Sequence, residues 1–187
     1  MTSASGHEVA AILAAYDCAG LATVVDVGGG HGALLAALLQ AYPAMRGILF
    51  DRPEVVAQAQ GPLTTVGVAD RCTRVAGDFF HLVPSGGDAY LLKRVLHDWP
   101  DAQARAILRQ CRRGMAAHSR LLVIERVLPT GNTPSLGKLA DIAMLIQYGG
   151  MERTEAEYRG LLETAGFRLR RCLETAAALS IMEGIPT

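Results

Sequence analysis

A short β-branched apolar run, residues 22–27, is followed by a glycine-rich stretch and then by an Ala- and Leu-rich segment of helical period, residues 32–41. The same alternation recurs down the chain and constrains the fold more than any other feature. Residues 47–50 read as a second strand, and 54–60 as a helix after Pro53, a residue favoured in a first helical turn. Short strands follow at 72–75 and 89–92. Residues 102–116 place Ala104, Ile107, Leu108, Cys111 and Met115 at helical spacing. Leu121-Leu122-Val123-Ile124 is a continuous apolar run within the strand 120–125, the pattern of a strand covered on both faces. Helices are expected at 135–148 and 155–165, the latter capped by Gly166, and strands at 168–173 and 178–182 finish the chain. Strands and helices in this order imply an α/β fold: a mostly parallel sheet with helices on both faces. The last two strands should form an antiparallel hairpin at one edge.

Composition narrows the function classes. A chain of 187 residues suits one domain with a sizeable core. Half of it is hydrophobic, which excludes disorder, and 18 basic against 18 acidic side chains leave no electrostatic case for nucleic acid or an anionic membrane as partner. No apolar run reaches the roughly 18 residues a membrane helix needs. The first residues lack the basic and apolar regions of a signal peptide. Cys18, Cys72, Cys111 and Cys172 lie far apart with no Cys-x-x-Cys spacing, so neither a metal site nor a disulfide framework is expected, and the thiols read as small core residues. The expected compartment is the cytoplasm. The expected loops, 84–87 and 129–134, are too short to be domain linkers, so residues 1–187 are read as a single domain.

In such sheets ligands bind beyond the carboxyl ends of the strands. After the first strand stands Asp26-Val27-Gly28-Gly29-Gly30-His31-Gly32, where glycines permit a tight turn and close approach to a ligand at a helix N-terminus. Asp51 closes the second strand, about twenty residues on, where a carboxylate can accept hydrogen bonds from both ribose hydroxyls. Gly28-x-Gly30-x-x-Ala33 with Asp51 satisfies a dinucleotide fingerprint and points to an adenosine-type ligand. Gly77-Asp78-Phe79-Phe80 adds a carboxylate beside an aromatic ring, suited to adenine. Leu96-His97-Asp98-Trp99 follows the fourth strand.

Taken together, Asp-Val-Gly-Gly-Gly-x-Gly, Phe-Asp-x-Pro, Gly-Asp-Phe-Phe and Leu-His-Asp-Trp resemble the catalytic domain of the S-adenosylmethionine-dependent O-methyltransferases of the plant caffeate and hydroxyindole type, with their bacterial natural-product relatives. The likeness runs from about residue 9 to the end and includes residues 124–129 and 149–154. It implies a Rossmann-like class I methyltransferase fold with a seven-stranded sheet. It implies S-adenosyl-L-methionine as cofactor, leaving as S-adenosyl-L-homocysteine, and a small hydroxylated acceptor, phenolic or polyketide. Carried over by motif, Asp26, Gly28, Gly29, Gly30, Asp51, Arg52, Asp78, Phe79 and Lys93 would hold the cofactor. His97 would be the general base, and Glu125 and Glu152 the acids that orient it. Asp98, Met144 and Tyr148 would border the acceptor. The resemblance also implies that full-length relatives are homodimers with a helical, winged-helix-like module ahead of this domain, a module not expected within residues 1–187. The stretch 147–150 is one residue shorter than the plant pattern and lacks its Asn-Pro.

Those residue types suit the reaction. Methyl transfer from a sulfonium is an in-line displacement that depends on alignment. Removing the acceptor's proton calls for a base near neutral pH, the range where histidine starts, with a carboxylate to fix its tautomer. Several residues carry two readings. Glu152 is either a partner of His97 or an acid at a helix N-terminus. Asp98 either lines the acceptor site or caps the helix starting near Pro100. Met144 is acceptor-facing or core. His31 sits in the glycine loop, while His7, His81 and His118 carry no partner pattern. Two other functions stand beside the enzyme: a cofactor-binding module without catalysis of its own, and a nicotinamide-dependent oxidoreductase.

Overall fold

A computed structural model describes residues 3–131 and 150–187. The expected helix at 135–148, together with Met144 and Tyr148, lies outside the described residues. Helix α1 (Ser3–Ala15) leads into β1 (Thr23–Val27), α2 (Ala33–Ala41), β2 (Arg46–Asp51), α3 (Pro53–Gln58), α4 (Gln60–Thr65) and β3 (Cys72–Ala76). Then come β4 (Ala89–Lys93), α5 (Asp101–Gly114), β5 (Arg120–Glu125), β6 (Val127–Leu128), β7 (Arg153–Thr154), α6 (Glu155–Thr164), β8 (Phe167–Glu174) and β9 (Ser180–Pro186).

Seven strands form one sheet in the order β3-β2-β1-β4-β5-β9-β8, and β6 pairs with β7 in a separate two-stranded ribbon. The pairs from β3 through β5 are parallel, and β9 runs antiparallel to both neighbours. The expected edge hairpin is present, with β8 outermost. The order reverses at β1 and β4, so their carboxyl ends diverge and open a crevice.

Period-two alternation sends successive side chains of each strand to opposite faces. Val24, Leu49, Leu91 and Ile124 pack with Ile12 of α1 and Leu35 and Leu39 of α2. Val25, Phe50, Leu92 and Val123 pack on the other face with Ile107 and Leu108 of α5 and Leu161 and Leu162 of α6. Helices therefore cover both faces. The guanidinium of Arg71 donates to the carbonyls of Leu39, Tyr42 and Met45 and so satisfies the carboxyl end of α2 and the turn after it.

Three expectations on element bounds are corrected. The helix expected at 54–60 is two short helices, because Pro62 has no N–H to offer the preceding turn and the chain restarts at Gln60. The last strand starts at Ser180 rather than 178, because Thr175 Oγ1 is bonded to Ala177 and Leu179 and folds that stretch into the turn. It then runs on through Gly184 to Pro186, residues that read as a turn in isolation. Helix α1 was not anticipated. Its buried residues Val9, Ala11 and Ile12 are interleaved with exposed Ala10 and Ala14, which blur the polar contrast.

Candidate active site

A cleft of about 470 Å³ opens beyond the carboxyl ends of four adjacent strands. Gly28 comes from the end of β1, Asp51 and Arg52 from β2, Asp78 and Phe79 from beyond β3, and Arg94, Val95, Asp98 and Trp99 from beyond β4. Position in the sheet alone brings these distant residues together.

The glycine loop forms the floor. Gly28 and Gly30 adopt positive φ (69° and 59°), and Gly28 and Gly29 donate to the carbonyl of Phe50 at 2.8 and 3.4 Å. A Cβ on Gly28 would lie 2.9 Å from Val95 Cγ2, and one on Gly29 would lie 2.6 Å from Asp26 Cγ. The loop is thus pressed onto its support, and the close approach requires glycine. Asp26 lies under the loop, 2% exposed, rather than in the cleft. Burial pushes its carboxyl up to about 7, against the pull of Lys93.

Asp51 has one oxygen accepting from Gly30 N–H at 2.8 Å and the other from Arg52 N–H at 2.7 Å. These bonds aim its carboxylate into the cleft. Asp78 accepts from Phe80 N–H at 2.8 Å and meets His81 Nδ1 at 3.0 Å, so His81 has a partner that the sequence did not reveal. Phe79, Phe80 and Trp99 form an edge-to-face aromatic cluster with centroids 4.8–6.1 Å apart. Lys93 is turned toward α1, where its Nζ donates to Glu8 Oε2 at 2.7 Å, and Arg94 donates to Glu8 Oε1 at 3.1 Å. Arg94 is the one non-glycine residue with positive φ (55°) among the described residues.

Beside the cleft lies a buried group of three ionisable residues. His97 sits in a short 3₁₀ turn, Leu96–Asp98. Its Nδ1 is 3.5 Å from Glu152 Oε1 and 3.8 Å from Glu125 Oε2, while Nε2 is 3.3 Å from Asp98 Oδ1. Glu125 ends β5 fully buried, and its Oε1 accepts from the backbone N–H of Val95, Leu96 and His97 at 3.0, 2.9 and 3.4 Å. Burial pushes the Glu125 carboxyl up to about 7, although His97 and the backbone donors favour its ionised form. For His97, burial opposes protonation, but the Glu152 hydrogen bond and the charges of Glu125, Asp98 and Glu152 outweigh it and raise the imidazole above its ordinary 6.5.

The geometry removes the helix-end reading of two residues. Helix α6 begins at Glu155 with Thr154 as its cap, so Glu152 is not a helix-terminal acid and faces His97 instead. Asp98 does not cap α5, whose cap position is Pro100; it lines the cleft and meets His97. His31 is exposed in the glycine loop, and His118 is exposed and 3.7 Å from Asp88. Sequence reasoning overlooked Glu8, Arg94 and Trp99. Arg94 and Trp99 stand inside the same run as Lys93 and His97, which was the available signal; Glu8 carries none.

The profile of the O-methyltransferase domain matches residues 1–168. The phenazine O-methyltransferase PhzM of Lysobacter antibioticus is 49% identical over 176 residues, covering 94% of this chain and 52% of that protein. The structure of the mitomycin 7-O-methyltransferase MmcR superposes with a TM-score of 0.93 at 44% identity, covering 99% of this chain and 55% of that one. The O-methyltransferase NcsB1 from neocarzinostatin biosynthesis, solved with S-adenosylmethionine and 2-hydroxy-5-methyl naphthoic acid, superposes at 0.88 with 37% identity, covering 98% and 55%. The chain spans about half the length of the relatives it matches.

Proposed function

The chain belongs to the O-methyltransferase domain family, and on that premise we propose that it is the S-adenosylmethionine-binding catalytic domain of an enzyme that methylates a hydroxyl on a small aromatic or polyketide compound. The carrying observation is the His97 imidazole, held by two buried glutamates at the rim of a cleft floored by Gly28 and Asp51.

The residues present fit the cofactor. Gly28 and Gly29 leave a surface that any Cβ would disrupt, and Asp51 offers a carboxylate held by two backbone donors for the ribose. Asp78 and Phe79 line the far end of the cleft, where an adenine would meet a carboxylate and an aromatic face. Arg52 lines the same wall, while Gly30, Asp26 and Lys93 support it from the loop and from below. When bound, the cofactor supplies a methyl group activated on a sulfonium.

His97 takes the acceptor's proton. Its Nδ1 faces the two glutamates, which favour a proton on that nitrogen, and Nε2, 3.3 Å from Asp98 Oδ1 of the cleft wall, is the nitrogen we assign as the base. A phenol of pKa near 10 gives up its proton more readily with such a base beside it, an assistance worth about 10²–10⁴-fold. Asp98, and Met144 and Tyr148 by motif, border the acceptor.

The reading extends to the rest of the molecule. Residues 1–187 are read as one domain. Its expected setting is the cytoplasm, in keeping with four cysteines spaced far apart along the chain. No helix among the described residues is long and apolar enough to cross a membrane.

Calorimetric titration of the chain with S-adenosylhomocysteine, alongside a methyl-transfer assay over a panel of phenols, tests this reading. Binding together with turnover that His97→Ala abolishes is the expected result. Binding without turnover on any acceptor would leave a cofactor-binding module, favoured by the half-length match to relatives. Binding of NADH in place of S-adenosylhomocysteine would overturn the assignment.

A further inference from the structure

The guanidinium of Arg153, which lies in the 149–154 motif but was given no role there, is fully buried. An arginine has five N–H groups in a fixed planar fork, and all five find acceptors here. Nη1 donates to the carbonyl of Leu96 at 3.1 Å and of Met151 at 3.3 Å, and Nη2 donates to the carbonyl of Trp99 at 2.7 Å. Nε and Nη2 both donate to Asp101 Oδ1, at 3.0 and 2.9 Å. The Tyr158 ring lies 5.9 Å from the guanidinium carbon.

The placement of those carbonyls gives the cation a task. Leu96 and Trp99 bracket His97 and Asp98, and Met151 immediately precedes Glu152. One rigid fork therefore fastens both ends of the turn carrying the imidazole to the segment that carries its carboxylate partner into β7. The Met151 N–H donates to the His97 carbonyl at 2.8 Å and closes the same junction. Gly150 packs so closely on the His97 carbonyl that a Cβ there would collide with it.

Resting on the reading of His97 as the base, we propose that Arg153 is a positioning residue that sets the distance between His97 and Glu152 and thereby tunes the base. A buried charge is costly unless paired and hydrogen-bonded, and here its partners lie across the catalytic junction, where an apolar residue would have filled the space. The groups facing His97 are Asp98 on its own turn, Glu125 at the end of β5, and Glu152 beside β7, with Arg126 4.0 Å from Glu152.

The sign of one measurement separates positioning from charge. Removing a nearby cation by electrostatics alone raises the His97 pKa. Loosening the turn from Glu152 lowers it, because that contact favours the protonated ring. The test is an NMR titration of the His97 ring in the 187-residue chain, assigned with His97→Ala, for Arg153→Lys and Arg153→Met. Arg153→Lys keeps the charge and loses the fork, and a fall of about half a pKa unit or more is expected. Arg153→Met should also lower it, with S-adenosylhomocysteine affinity within about threefold of the parent. An unchanged or raised His97 pKa in either folded variant overturns the proposal. Should neither fold, Asp101→Asn loosens the fork from its exposed end. Measured at high salt, where an exposed charge is screened, it should lower the His97 pKa, and no change would overturn the proposal. These readouts need no turnover, so they fail or succeed independently of whether His97 is the base.

Discussion

Glu125 holds His97 from two directions: Oε1 accepts the backbone N–H of His97 at 3.4 Å, and Oε2 lies 3.8 Å from its Nδ1. The same carboxylate therefore fixes the turn and biases the proton on its ring.

Glu125→Gln separates those tasks, since the amide oxygen can still accept from the turn while the charge is gone. NMR titration should show the His97 pKa falling by about one unit, and turnover should drop about tenfold or more. Glu125→Leu should also destabilise the chain by about 2–4 kcal/mol, because the N–H groups of Val95, Leu96 and His97 lose their acceptor in a buried site.

Asp51→Asn should weaken S-adenosylhomocysteine binding by about tenfold to a hundredfold, the range for a charge-assisted hydrogen bond. Calorimetry at constant ionic strength checks this. An affinity within twofold of the parent would remove Asp51 from the ribose site.

Two alanine substitutions in the glycine loop should behave differently. At Gly30, φ is positive but nothing lies within 4 Å of the added methyl, so the cost is the backbone strain of about 1–2 kcal/mol. At Gly29 the methyl would meet both Asp26 Cγ and Leu49 Cδ1 at 2.6 Å, so the loop must move. Urea denaturation should show a loss of about 2–3 kcal/mol for Gly29→Ala, accompanied by a drop in S-adenosylhomocysteine affinity of more than about tenfold.

The buried Asp26 predicts a pH dependence. Its folded pKa, about 7, lies above the ordinary 3.8. The folded state thus holds a proton that the unfolded chain has released, and stability falls as pH rises from about 4 through 7. The full effect is at most about 4 kcal/mol. Asp26→Asn should flatten the decline between pH 5 and pH 8 in urea melts, apart from what Glu125 and His97 contribute. Glu183 works oppositely: burial raises its carboxyl, but Arg171 and Arg170 outweigh this and hold it below 4.5, so its contribution is present above that value and lost in acid.

Local patterns carried much of the architecture. The strand expected at 120–125 coincides with β5, Pro53 starts α3, and Gly166, with φ of 88°, ends α6. These features depend on neighbours a few residues away, through side-chain alternation, a fixed proline φ and a glycine free to turn left-handed. The motifs also named His97, Glu125 and Glu152, which the fold brings together.

Their roles depended on what lies across the molecule. Periodicity states that Glu125 ends a strand; it does not state that three N–H groups from the neighbouring strand's loop converge on it. Asp26 sits in the glycine motif, yet the sheet places it beneath the loop instead of in the cleft. Lys93 meets Glu8 across 85 residues, and Arg153 meets Leu96 across 57. Such pairs leave no local trace, because a charge is matched by whichever partner the packed chain delivers. The succession of strands and helices, the glycine turn and the residue types of the candidate site were legible in the chain itself. The protonation of His97, the seat of Asp26 and the clamp of Arg153 were decided only when burial removed water and left each polar group to the partners within reach.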